Sequence, residues 1–178
     1  MKGKGVSGQG PVMVKIARAD PRIPLPRYGS GGAAGMDICA FLAEDAAVPL
    51  LGRVKIPAGL RACSKSGFLW SIGRKNPQFE QALRLEIPPG FEAQIRPRSG
   101  PAIRSGFTAP NSPGAIDADF LGEAEIILVN LKTEPASIKN GDRIAQMVIS
   151  PVMQAFIKET ASLSETKRES GGFGSTGM

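Results

Sequence analysis

Apolar residues along this chain fall into short runs bounded by glycine, proline, asparagine and aspartate. The runs are Val12–Ala17, Gly35–Phe41, Gly52–Ile56, Leu83–Ile87, Ala93–Ile95, Ile116–Phe120, Ala124–Leu131, Ala136–Ile138 and Arg143–Val152. Runs of this length, rich in valine and isoleucine and closed by turn formers, predict strands. Their regular spacing, with no sustained helical period, predicts an all-β domain of jelly-roll or β-barrel type. Helix is expected only in the short turn Gly100–Ser105 and over Asn76–Ala82. Pro21–Pro26 reads as extended coil.

The two ends differ from the body. Residues 1–11 are rich in Gly, Lys and Ser and read as a flexible leader, followed by one β domain over 12–160. From Thr160 the chain turns polar and finishes in RESGGFGSTGM, so 161–178 reads as a flexible tail. Composition agrees with a single folded unit. Gly and Pro are frequent, at 22 and 15 of 178 residues, but a 42% hydrophobic content argues against disorder.

The formal charge of +6 is spread along the chain and not concentrated in a run. With one Trp and one Tyr there is little aromatic surface for stacking a strand of bases, so a small polyanionic ligand fits better than a nucleic acid. There is no histidine, which excludes His-dependent triads and His-ligated zinc. Cys39 and Cys63 lack metal-binding spacing and read as reduced thiols of an intracellular protein, a disulfide being the alternative. No apolar run reaches membrane-spanning length and no secretory core precedes the body, so a soluble, cytoplasmic protein is expected.

The densest chemistry lies in NSPGAIDADFLG, residues 111–122. Asn111, Pro113 and Gly114 are turn formers, and a strand expected to begin at Ile116 would carry Asp117, Asp119 and Phe120. This reads as a β-hairpin presenting a carboxylate and an aromatic ring. In RPRSG, Arg98, Ser99 and Gly100 place a guanidinium, a hydroxyl and an open backbone on one turn, as phosphate oxygens require. Each segment also has a plain reading: an exposed arginine on a surface turn, a core phenylalanine at 120, a turn cap at Asp37, an inert tail.

Together with AAGMDI (33–38), NGDRIAQMVISPV (140–152) and RESGGFGSTG (168–177), these segments resemble, in order and spacing, the five motifs of the trimeric dUTPases. The resemblance implies a homotrimer with sites shared between chains, in which dUTP is hydrolysed to dUMP and pyrophosphate with Mg²⁺. Asp117 would orient the water that attacks the α-phosphorus. Carboxylates are weak bases at neutral pH, so its contribution would be mainly positional. The same resemblance implies that Asn111, Gly114 and Ile116 frame uracil, and that Phe120 lies against the deoxyribose where a 2′-OH would collide. Arg98, Ser99, Gly100 and Gln146 would touch phosphates, with Asp37 holding Mg²⁺ through water. Asp142 and Arg143 would brace the strand and the neighbouring motif, and Asp119 would be structural. In the tail, Arg168 would reach the γ-phosphate, Phe173 would stack on uracil, and Gly174, Ser175 and Thr176 would close over the phosphates as a lid.

Three departures from the family pattern stand out. Phe120 replaces the usual tyrosine, and Glu169 follows Arg168 where glycine is usual. About 23 extra residues, roughly 61–83, separate IPAGL from RLEIPPGFEAQ and carry Phe68, Trp70, Ile72 and Phe79. The alternatives are a non-catalytic nucleotide-binding regulator, a basic nucleic-acid-binding β domain, and a dCTP deaminase relative. The last is disfavoured because Ile127 stands where that enzyme needs glutamate, with Glu123 and Glu125 out of register.

Overall fold

The computed structural model describes residues 11–18, 21–62, 83–120 and 122–166. Strands dominate: β1 (Lys15–Arg18), β2 (Arg27–Tyr28), β3 (Met36–Cys39), β4 (Ala46–Val48), β5 (Arg53–Ala62), β6 (Leu83–Glu86) and β7 (Phe91–Arg96). One short helix, α1 (Ser99–Ser105), follows. The chain then continues through β8 (Phe107–Thr108), β9 (Gly114–Ile116), β10 (Glu123–Asn130), β11 (Ala136–Ile138) and β12 (Arg143–Pro151). The expected runs appear as strands with ends shifted by a few residues, except Ile116–Phe120, of which only Ile116 lies in a strand. Three very short strands, β2, β4 and β8, carry too few residues to show alternation in the sequence. The helix expected over 76–82 and most of the extra segment lie outside the described residues.

Two five-stranded sheets face each other, ordered β1-β6-β5-β10-β8 and β2-β3-β12-β7-β9, with a two-stranded ribbon β11-β4 beside them. This is the all-β jelly-roll expected from the pattern. Pairings are antiparallel except β5 with β6, which run parallel and set Leu60 beside Leu83.

Strand alternation builds the core. On β10, Ala124, Ile126 and Leu128 are buried while Glu125 between them is exposed. They meet Ile56 and Leu85 of the same sheet and Ile38, Ala93, Ile95, Ile116 and Met147 of the facing one, and Val48 and Ile138 close the end. Each such aliphatic side chain contributes about 1.5–3 kcal/mol when fully removed from water.

One polar side chain, Asn130, is fully buried among these groups. Its Nδ2 donates to the carbonyls of Val48 (3.1 Å) and Glu134 (2.8 Å), and its Oδ1 accepts from the Lys132 amide at 2.9 Å. Its backbone pairs with Gly52 and Leu51. The amide ties β10, the ribbon and the turn after β10 into one corner. Leu51 sits in this corner with φ of 53°, a conformation that costs an L-residue about 1–2 kcal/mol and must be held by such surroundings. Asn130→Ala is expected to lower unfolding free energy by about 2–4 kcal/mol, since buried groups left unpaired cost about 1–3 kcal/mol each. Urea denaturation measures this, and a loss under about 1 kcal/mol would show that water replaces the amide.

Candidate functional site

Asp37 on β3 is gripped by two arginines. Arg98 Nε lies 2.7 Å from Oδ1 and Arg98 Nη2 donates to Oδ2 at 3.3 Å, a two-pronged contact, while Arg143 Nη1 donates to Oδ2 at 3.1 Å. Arg98 is the residue before α1, in extended conformation; its guanidinium, a donor only, cannot cap the helix and reaches Asp37 instead. Gln146 completes the cluster, donating from Nε2 to the carbonyl of Pro97 at 2.9 Å. Gly35 makes room for it: a Cβ there would stand 2.7 Å from Gln146 Oε1.

A bulge in β12 sets this arrangement. Arg143 stands opposite Cys39 but Ala145 opposite Ile38, so Ile144 is an extra residue. Without it, strict alternation would put Arg143 on the face opposite Gln146, toward the core. The extra residue turns Arg143 to the face that carries Gln146 and its cross-strand partner Asp37. Both Ile144 and Ala145 are buried as a result. Asp142 accepts a hydrogen bond from the Lys139 amide at 2.8 Å and braces the preceding turn. Cys39, a free thiol beside the clamp, is pushed up from its usual range by burial and then by the Asp37 charge. It stays protonated and is a poor nucleophile.

An open basic hollow of about 260 Å³ adjoins the clamp, lined by Arg98, Arg104 and Arg143 together with Ser105 and Asp142. Arg104 lies over the first turn of α1, where a Cβ on Gly100 would come within 2.7 Å of its Nη2. Ser99 is exposed at the start of that turn.

The second group gathers around a pocket of about 230 Å³ lined by Asn111, Gly114, Ile116, Asp117 and Phe120, with Lys55, Glu123, Glu125 and Ile127 on the facing wall. Here the sequence expectation needs correction. The strand ends at Ile116, and Asp117–Phe120 form a turn closed by the Phe120 amide on the Asp117 carbonyl at 3.2 Å. Nor do β8 and β9 form a hairpin: β8 pairs with β10 and β9 with β7, in different sheets. Asp117 and Asp119, with Ala118 between them, favour a turn over a continued ladder. The carboxylate is exposed at the pocket mouth as a consequence. Asn111 folds over Gly114, where a Cβ would lie 2.8 Å from Nδ2.

The expected residues thus fall into two groups within the chain: Asp37, Arg98 and Gln146 with Gly100 and Ser99 nearby, and Asn111, Gly114, Ile116, Asp117 and Phe120. Arg168, Phe173, Gly174, Ser175 and Thr176 lie outside the described residues. Sequence reasoning missed Arg104 and did not foresee the Lys55–Glu125 ion pair (2.5 Å) on the pocket wall. That hydrogen bond raises the Lys55 ammonium above its usual range. Cross-strand charge on β5 and β10 was the available signal. Ile127 does line this wall, so an apolar group stands where a deaminase would need glutamate.

The dUTPase family profile matches residues 57–177. The chain belongs to the dUTPase family. It is 44% identical over 166 residues to the deoxyuridine 5′-triphosphate nucleotidohydrolase of Rhizobium etli, covering 93% of this chain and 92% of that protein. To the protein of the same name from a Thermoanaerobacter species it is 42% identical over 170 residues, covering 94% and 99%. Among solved dUTPases, that of Staphylococcus bacteriophage 80alpha with dUpNHpp superposes with a TM-score of 0.71 at 20% identity, covering 93% and 99%. A mutant dUTPase of S. aureus phage phi11, solved for its structural Mg(II) coordination, gives 0.65 at 17%, covering 86% and 99%. These superpositions agree on the fold.

The clamp also bears on how a metal fits. A carboxylate offers about four acceptor sites. Three on Asp37 are taken by guanidinium donors, which leaves one lone pair on Oδ1, enough for a water or a single metal bond but not for two-oxygen chelation. Among the described residues no group of three or more metal-ligating side chains occurs. Asp37→Asn leaves two guanidiniums facing each other without the charge they share. It is expected to cost about 2 kcal/mol of stability in denaturant unfolding, mostly through the sheltered Arg98 contact, since the Arg143 guanidinium is largely exposed. A change within about 0.5 kcal/mol would show that the clamp is solvated.

Proposed function

We propose that this chain hydrolyses dUTP to dUMP and pyrophosphate, keeping the dUTP pool low and supplying dUMP, as a cytoplasmic homotrimer with sites shared between copies. The observation that carries this reading is the pocket in which Asn111, Gly114, Ile116, Asp117 and Phe120 meet, in a chain of the dUTPase family. In it, the uracil edge pairs with the Asn111 amide and the backbone near Gly114, whose lack of a Cβ permits close approach. Close approach excludes the 5-methyl of thymine, and the reversed edge of cytosine would leave polar groups unpaired. Phe120 covers the sugar and needs only its ring for this, so tyrosine is dispensable there.

Asp117 holds a water in line with the α-phosphorus. The water oxygen bonds to phosphorus as the bond to the bridging oxygen breaks; its proton passes by way of the Asp117 carboxylate to solvent, and pyrophosphate leaves. Arg98, Ser99, Gly100 and Gln146 orient the phosphates. A Mg²⁺ arriving on the phosphates would neutralise charge on the transferred group, and Asp37 would hold it through a water on Oδ1. Arg168, Phe173, Gly174, Ser175 and Thr176 close over the nucleotide and exclude bulk water.

Two observations favour sites built between copies. Gln146 stands opposite Arg96 of β7, while Asp117 follows Ile116, which stands opposite Ala93. At standard strand spacings these positions are separated by about 13 Å along the strands and about 10 Å across them. One chain therefore does not bring both to one α-phosphate. In addition, the segment after β12 leaves Met153 (95% exposed), Phe156 (93%), Ile157 (88%) and Leu163 (87%) uncovered, an apolar arm suited to another copy.

Pyrophosphate release with Mg²⁺ tests the reading. Turnover is expected with dUTP and not with dCTP, dTTP or UTP, and Asp117→Asn should lower kcat about 10²–10⁴-fold with little change in KM. Comparable rates on UTP, or retained activity in the variant, would overturn it. Shared sites predict that inactive Asp117→Asn and a chain ending at residue 166, when co-expressed, regain activity in mixed trimers. Mixed trimers that stay inactive would place each site within one chain.

A further inference from the structure

We propose that Gly122 is a specificity-determining positioning residue, the seat that fixes the Phe120 ring over the sugar position; this rests on the function proposed above. An ideal Cβ on Gly122 would lie 2.5 Å from Phe120 Cζ, 2.9 Å from Cε2 and 3.2 Å from Cε1, so the ring edge rests directly on the Gly122 backbone. The three atoms nearest to that Cβ all belong to the ring, so an alanine at this position would collide with the ring first.

The consequence follows from where Phe120 stands. Its ring lines the pocket shared with Asp117, Asn111 and Gly114, but it is 41% exposed and not locked in the core. Pushed by a methyl group, it swings toward solvent at little cost to folding. With no phenolic hydroxyl to tether it, phenylalanine at this position keeps its orientation through packing. The seat therefore selects one ring position, and with it the collision that rejects a 2′-OH. Gly35 under Gln146 and Gly114 under Asn111 show the same device, but there the neighbour is a polar side-chain tip, which yields more easily than an aromatic ring.

The test compares kcat and KM for dUTP and UTP in the wild type, Gly122→Ala, Phe120→Leu and the double variant, with thermal melts of each. Gly122→Ala is expected to melt close to the wild type, while its preference for dUTP over UTP falls about tenfold or more, chiefly through UTP gaining turnover. In the Phe120→Leu background the same alanine should change the preference little, because the clash is gone. An unchanged preference in Gly122→Ala, or an equal loss in both backgrounds, overturns the seat. If Gly122→Ala fails to fold, recovery of folding in the double variant supports the seat, and continued failure overturns it. A wild type that does not turn over dUTP overturns the functional reading, whereas normal dUTP-specific turnover beside an unaltered Gly122→Ala overturns the seat alone.

Discussion

The register of β7 is the constraint on which the site depends. This strand pairs with β12 on one side and β9 on the other, so it fixes both Gln146 and Gly114 relative to one backbone. A slip of one residue would invert every side chain on the displaced strand and carry Ile116 or Met147 out of the core. The core therefore enforces the register, and the register places the two groups of polar residues at different positions along the sheet. Hydrophobic burial decides where the functional groups stand before any of them meets a ligand.

Much of the fold was legible because burial in a jelly-roll is written as short alternation. The runs ending near Asn130, Ile138 and Pro151 became strands with small boundary shifts. The segment after Ile116 departs from expectation for a physical reason. IDADF alternates apolar and polar residues as a strand does, yet its two aspartates and small residues suit a turn, and tertiary pairing stops at Ile116. Arg143 is illegible in a different way. Alternation through RIAQM assigns Arg143 and Gln146 to opposite faces, and only the extra residue at Ile144 reverses that. A bulge leaves no mark in composition or period. The sequence therefore suggests the arginine as a brace without showing that it turns toward Asp37.

The candidate site residues came from motif order, and the structure adds what holds Asp37, Arg98 and Gln146. Asp37 is a half-buried carboxylate whose charge is shared by Arg98 and Arg143. Such a clamp keeps two long, flexible cations in place near a basic hollow, lowering the ordering cost when a polyanion binds. It also restricts Asp37 to contacts that leave the arginines where they are. A water or a single metal bond at the remaining Oδ1 site meets that condition, and chelation through both oxygens does not.

Rigidity is distributed unevenly between the two groups. The clamp stands on strands in the middle of a sheet, cross-linked by charge and closed by a bulge. The pocket group stands on a turn beyond the last residue of an edge strand, where Asp117 and Phe120 are exposed. Few hydrogen bonds hold such a turn, so its side chains take their positions from local packing: Asn111 on Gly114, and the Phe120 ring on Gly122. Under the proposed function, selection of base and sugar rests on small contacts against bare backbone, whose loss would alter choice before it altered folding. The residues proposed to handle phosphate stand on β12 (Gln146) and at the start of α1 (Arg98, Ser99 and Gly100). A division of this kind lets discrimination change through single methyl groups while the core and the clamp remain as they are.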